Sequence, residues 1–311
     1  MPGLRVVEPG FLSSVQDLGR FGFAHLGISP CGAADTFSLR AGNRLTGNLD
    51  SAAAIEMTLT GGTFIFEQET VFAITGSDFG ASVGGRPVTC WAATHAEAGA
   101  QLRLGGARDG ARCYLCVSGG IVVDDFLGSA STDLRANFGG LEGRPLRKGD
   151  RLEIGQRANP MPGVDARPLR YYVRHSTLRV TRGPQARLFP SDALGRLCDG
   201  AYTVSNDSSR LGVRLFGGSI RASSRVQLLT EGVSLGAVQV PPDGQPIILF
   251  VDQQTTGGYP KLANVILADL PRVGQLAPRS EVRFVEVDVA TAHAALRERE
   301  ARLTAVLRGE A

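Results

Sequence analysis

The chain repeats part of itself. The run LTGGTF at Leu59–Phe64 returns as LFGGSI at Leu215–Ile220, 156 positions later. At the same offset Gly76, Gly80 and Ala81 meet Gly232, Gly236 and Ala237. After a three-residue insertion, Gly85 and Pro87 meet Gly244 and Pro246. Turn residues that recur in one order imply a single supersecondary plan used twice. The expected organisation is therefore two related lobes, joined near Asn159–Gly163, where Pro160, Pro162 and Gly163 interrupt the strand pattern.

Both lobes read as β. Short runs rich in β-branched and aromatic residues begin at Thr63, Val71, Gln101, Cys113, Leu178, Ile247 and Val282, each bounded by turn residues. Forty glycines in 311 residues supply the many reversals that such a fold needs. Helical periodicity is confined to three places. Phe37, Ala41 and Leu45 recur at four-residue spacing in Ala34–Leu45, with Asp35 as its expected N-cap. A second helix is expected near Pro190–Leu197, and the tail Val289–Leu307 is rich in strong helix formers. The reading is a mainly β chain with few short helices: an N-terminal lobe over 1–160, a C-terminal lobe over 164–288 and a helical tail over 289–311.

Several classes of function are argued against. A net charge of +3, spread without a basic block, does not suit nucleic acid. No apolar run is long enough to span a membrane, and the N-terminus runs into strand sequence with no signal pattern. Five cysteines in a long chain do not make a disulfide framework, so a reducing cytoplasm is expected. Cys113 and Cys116 form C-x-x-C within a strand, where residues three apart point to opposite faces, which argues against a redox or zinc pair. His25, His95, His175 and His293 show no metal-ligand spacing, so no metal site is expected. Neither a phosphate-binding P-loop nor a dinucleotide fingerprint is present.

The strongest site candidate is Asp252–Lys261. It follows the apolar run Ile247–Val251, so Asp252 is expected to emerge at a strand end. Thr255 and Thr256 bring hydroxyls, and positive φ at Gly257 and Gly258 would turn backbone amides towards an anion. Lys261, one of only two lysines beside 31 arginines, would add a full charge. A second candidate is Asp207–Arg214, in which Arg210 could clamp an oxyanion through its planar fork while Asp207 and Ser209 orient an amide. Gln239, between Val238 and Val240, can donate and accept together. Gln16, Asp17 and Arg20 form a polar cluster that a turn at Gly19, pairing Asp17 with Arg20, would explain. Glu56 lies among apolar neighbours without an assigned role.

Four stretches carry a family resemblance. They are Val7–Asp35, with VQDLGR at its centre; Tyr114–Arg144, with SGG at Ser118–Gly120; Tyr202–Leu215, with SSRLG at Ser208–Gly212; and Gly236–Pro271, with DQQTTGGYPK at Asp252–Lys261. They span nearly the whole chain and resemble the family of KipA and the 5-oxoprolinase C subunits, which includes the second allophanate-hydrolase-type domain of urea carboxylase. The resemblance implies two cyclophilin-like β-barrel lobes. It also implies ATP-dependent opening of 5-oxo-L-proline to L-glutamate, the partners being the A and the KipI-like B subunits of 5-oxoprolinase. ATP, with Mg, would sit here or on a partner. In that setting Asp252, Lys261 and Arg210 would be catalytic. Gln239, Thr255, Thr256, Gly257, Gly258, Ser209 and Asp207 would bind substrate, and His25 joins Gln16, Asp17 and Arg20 as a secondary candidate. Two alternatives follow from the same resemblance: a carboxyltransferase component using carboxybiotin, with biotin attached to another protein, and a KipA-like regulator that antagonises a KipI-like kinase inhibitor. The chain departs from the family in three loops. Gln253 stands where arginine is common, Ser209 where aspartate is common, and Ala130 where arginine is common.

Overall fold

The computed structural model describes residues 3–156, 164–173, 176–223 and 228–307; the junction expected at Asn159–Gly163, and His175, lie outside them. The chain divides into two compact units. The first comprises Met1–Arg20, Cys31–Arg174 and Ala301–Ala311, and the second Phe21–Pro30 and His175–Glu300.

The first unit is built of two antiparallel sheets. One has seven strands, in the order Ile121–Val122, Arg151–Ile154, Gly3–Glu8, Thr63–Phe66, Gln101–Arg103, Ser82–Val83 and Arg86–Pro87. The other has five: Leu12–Gln16, Ala54–Thr58, Arg112–Val117, Thr70–Gly76 and Ala93–Ala96. Alternate side chains of both sheets, among them Leu4, Phe64, Phe66, Ile55, Met57, Phe72, Ile74 and Leu115, make one core. On the far face of the five-stranded sheet lies helix α1 (Thr36–Leu45), begun by Asp35, whose Oδ1 accepts from the Ser38 amide at 2.9 Å. Phe37, Ala41 and Leu45 of this helix share a second core with Ala73 and Trp91. Glu56 is a structural ligand there. Its carboxylate accepts from the Ala34 amide at 2.8 Å and the Tyr114 hydroxyl at 2.7 Å, fixing the approach to α1. Cys113 packs into the inter-sheet core and Cys116 under the helix, on opposite faces of their strand as expected.

The second unit contains a closed barrel. Its strands run in the order Thr177–Arg182, Lys261–Val265, Ala237–Gln239, Ile247–Leu249, Gly212–Phe216, Tyr202–Val204 and Glu281–Glu286. Parallel pairing of the last strand with the first closes it. Helix α2 (Ala193–Asp199) lies close to the predicted place, and a short α3 (Leu270–Gly274), not expected from sequence, follows the strand that begins at Lys261. Helix α4 (Val289–Leu307) covers the predicted tail.

Two boundaries differ from the sequence reading. The first unit runs past residue 160, because Ala166, Leu169 and Val173 pack with Phe37 and Trp91. The tail is not a separate piece. Ala292, Ala295 and Leu296 pack on Ile266 and Ala268 in the second unit, while Leu303 and Val306 join the α1 core in the first. The echoed glycines are matched in part. Gly80 and Gly236 both adopt positive φ, as do Gly85 and Gly244. Thr63–Phe66 is a strand, however, whereas Ser219 and Ile220 are not.

Candidate functional site

The barrel positions the Asp252–Lys261 segment. The strand ends at Leu249, two residues before the end of the apolar run, and the chain turns at once, the Gln253 amide donating to the Phe250 carbonyl at 2.8 Å. A tight turn closed by Ser209 and Gly212 lies alongside: the Asp252 amide donates to the Arg210 carbonyl at 2.9 Å and the Phe250 amide to the Leu211 carbonyl at 3.1 Å. This backbone zipper puts two charged side chains face to face. Arg210 Nε meets Asp252 Oδ2 at 2.8 Å and Nη2 meets Oδ1 at 2.9 Å, with both side chains buried.

That pair corrects the expected division of labour. The fork of Arg210 is filled by Asp252, so it does not stand open for an oxyanion. Each oxygen of Asp252 accepts one bond from Arg210, so the two side chains hold each other in a fixed geometry. The two residues together anchor the start of the loop.

At the other end of the loop, Lys261 opens a barrel strand directly opposite Gln239 on the neighbouring strand, where a bulge shifts the register. Its side chain is 4% exposed, and its ammonium donates to Glu231, whose side chain is about half exposed at 47%. Gln185 braces the pair, with its Nε2 on Glu231 Oε1 at 2.6 Å and its Oε1 accepting from the Lys261 amide at 3.2 Å. The Lys261 ammonium, by hydrogen bond and by charge, holds the Glu231 carboxyl below its usual range.

Between these ends, Thr256–Gly257 pairs with Glu231–Gly232 as a two-stranded ribbon. Gly257 and Gly258 do not take positive φ, which overturns the expected amide cradle. Gly257 serves a different purpose. A Cβ there would stand 2.9 Å from Gln239 Nε2, 3.1 Å from Gln254 Nε2 and 3.2 Å from Val233 Cγ1. A side chain would thus push the carboxamides away. Gln239 is buried, its Nε2 reaching the Tyr259 carbonyl at 3.4 Å. Gln253, also buried, donates to the Val233 carbonyl at 3.3 Å and leaves its Oε1 without a partner. Thr255 and Thr256 line the ribbon, Thr256 exposed. The centre that results is one buried ammonium, one half-exposed carboxylate and a group of carboxamides. It can present hydrogen-bond donors and acceptors to an amide, but it does not offer nested amides to a phosphate.

The other candidates lie elsewhere. Ser209 uses its hydroxyl on the Leu211 amide at 3.2 Å, within its own turn. Asp207 lines a separate open pocket of about 380 Å³ with Arg214, Phe216, Asp243, Gln245 and Ile247. His25 is exposed on a 3-10 turn, Ala24–Leu26, in a segment counted with the second unit. That segment is tied to the site loop by Ser29, whose hydroxyl donates to the Gln253 carbonyl at 2.5 Å. In the first unit Asp17 does not pair with Arg20. Its carboxylate accepts from the Gly19 amide at 2.7 Å, the Ala130 amide at 2.8 Å, the Ser129 hydroxyl at 2.7 Å and the Ser131 hydroxyl. Gln16 donates to Ser14 Oγ and the Thr132 carbonyl. Among the described residues no group of His, Cys, Asp and Glu could hold a metal.

Glu231, Gln185 and Gln253 are site residues that sequence reasoning misses. Glu231, on a two-residue strand, and Gln185, in a turn, have no motif character, and their signal exists only in the pairing of distant segments. Gln253 stands out in the sequence only as a departure from the family pattern.

The chain is mainly β with a closed barrel, and residues 26–286 match the carboxyltransferase domain, subdomain A and B. The chain belongs to that family. It is 38% identical to the 5-oxoprolinase C subunit of Haemophilus influenzae over 95% of both chains, and 38% identical to that of Escherichia coli over 93% of both. Among solved structures it resembles Kluyveromyces lactis urea amidolyase, with a TM-score of 0.90 at 29% identity over 98% of this chain. The chain spans 20% of that larger protein.

Proposed function

We propose that this chain is the C subunit of an ATP-dependent 5-oxoprolinase, active only with the A and the KipI-like B subunits, and that the complex opens 5-oxo-L-proline to L-glutamate in the cytoplasm. The observation that carries the reading is the near end-to-end similarity, at 38% identity, to two 5-oxoprolinase C subunits. The site chemistry agrees with it. A lactam offers one carbonyl acceptor and one N–H donor in a fixed ring. Gln239 and Gln253 supply carboxamides on the same loop system, and Lys261 is the one ammonium beside them. In this reading the lysine stabilises negative charge that grows on the lactam oxygen, and Glu231 holds the ammonium in place while remaining half in water. Arg210 and Asp252 are positioning residues that fix the loop.

ATP and its Mg are not placed on these residues. The loop glycines do not cradle a phosphate, since neither Gly257 nor Gly258 takes positive φ. In this reading the nucleotide belongs to a partner protein. Biotin is not attached to this chain, and the carboxybiotin alternative rests on the urea amidolyase likeness over a fraction of that protein's length.

The test is reconstitution. The A and B subunits, mixed with this chain, should release glutamate from 5-oxoproline with stoichiometric ATP hydrolysis, and omission of the chain should abolish release. Undiminished turnover without it would reject the assignment. Transfer of carboxylate from carboxybiotin, in place of ring opening, would favour the alternative.

A further inference from the structure

Arg20 is a buried cation. It is 2% exposed, yet among the described residues no carboxylate pairs with it. The nearest acid in sequence, Asp17, spends its oxygens on two amides and two hydroxyls. The Arg20 guanidinium reaches only backbone carbonyls, Nε to Phe126 at 3.3 Å and Nη2 to Ser131. Nη1, equally buried, has no acceptor among the described residues. Gln16, held on the adjacent Thr132 carbonyl, also keeps an unpartnered Oε1.

An unpaired charge in a protein interior is costly, and a buried donor without an acceptor adds to the cost. Cation–π contact offsets part of it: the guanidinium carbon lies 4.9 Å from the Phe138 ring centre and 5.9 Å from that of Phe126. The backbone is shaped around the group. Gly139, at φ +67°, would place a Cβ 2.8 Å from Nη2 and 2.1 Å from the Ser131 carbonyl, so any side chain would displace the guanidinium. The cover is a tight turn in which Phe126 and Ser129 exchange amide bonds across Leu127 and Gly128. Leu127 is held at φ 53°, and Phe126 is 39% exposed on the outer side.

We propose that Arg20 is the anchor of a binding site for a small monocarboxylate, reached when the Phe126–Ser129 turn lifts. The free Nη1 edge presents two N–H donors in the plane that a carboxylate matches. One guanidinium charge balances a monoanion, whereas a phosphate dianion would remain half uncompensated in an enclosed site. The aromatic pair suits a flat ligand. The residues that form the site all belong to the first unit.

Titration calorimetry on the full chain, at constant ionic strength, tests it without any turnover assay. Acetate should bind saturably, while acetamide, which has the same size but no carboxylate, should not. Arg20→Lys keeps the charge but loses the fork, and should weaken carboxylate binding by about 10- to 100-fold. Phe126→Ala, which removes only the cover, should fold and should speed association. Absence of saturable carboxylate binding to the unaltered chain overturns the proposal, as does equal binding of acetate and acetamide. If Arg20→Lys does not fold, the acid–amide comparison and the Phe126→Ala association rate decide.

Discussion

Replacement of Asp252 by alanine strips a buried guanidinium of its counter-ion. In the native chain Arg210 and Asp252 meet through two bonds of 2.8 and 2.9 Å, with side chains 6% and 7% exposed. Breaking such a pair from one side costs about 3–5 kcal/mol, because the remaining charge stays desolvated. At roughly 4 °C per kcal/mol for a unit of this size, the melting temperature should fall by roughly 10–20 °C. Arg210→Met combined with Asp252→Leu removes both charges and keeps much of the volume, so most of that loss should return. Urea unfolding of Arg210→Met, of Asp252→Leu and of the double variant closes a mutant cycle, with an expected coupling of about 2 kcal/mol or more. Additive losses, or a D252A variant within about 1 kcal/mol of the native chain, would refute the claim that this pair anchors the loop.

Three further outcomes follow from side-chain geometry. Glycine to alanine within a helix ordinarily gains about 1 kcal/mol, but Gly42→Ala in α1 would press a Cβ to 2.6 Å from Cys116 Sγ and 2.9 Å from Thr75 Oγ1. It should therefore destabilise the chain by about 1–2 kcal/mol in thermal melts. The Glu231 carboxyl, depressed from its ordinary 4.5 by Lys261, contributes stability in full above that pH and loses it as pH falls through the lower folded value. The gap between native and Glu231→Gln unfolding curves should accordingly be flat above about pH 4.5 and close in more acid solution. Burial pushes the Cys113 and Cys116 thiols up, and that of Cys90 up to about 11. At pH 8 an aromatic disulfide reagent should leave these three unmodified in the native protein and label them once it is unfolded.

The β class and the three expected helices were legible because they rest on local signals. Alternation of apolar residues marks Thr63–Phe66, and the Asp35 cap and four-residue spacing mark α1. The roles within the Asp252–Lys261 loop were not legible. Gly257 reads in sequence as a source of left-handed backbone, yet it is needed because Gln239 on another strand approaches it, and only the Gln239–Lys261 register reveals that. Likewise Arg210 and Asp252 each look like catalytic groups until the 210–211 and 250–252 backbone zipper makes them partners. Asp17 and Arg20, three residues apart, invited a pairing that Ser129 and Ser131, more than a hundred residues away, pre-empt. Long-range pairing decided each case, and a one-dimensional pattern does not carry it.

On the proposed function, the Lys261–Glu231 couple, and not the Arg210–Asp252 pair, acts on the substrate. Single-turnover glutamate formation by the reconstituted complex carrying Lys261→Met measures this directly. Complex assembly should stay near native while the rate falls by about 100-fold or more, the loss of one charge-stabilising donor. A native rate from a properly assembled Lys261→Met complex would contradict it.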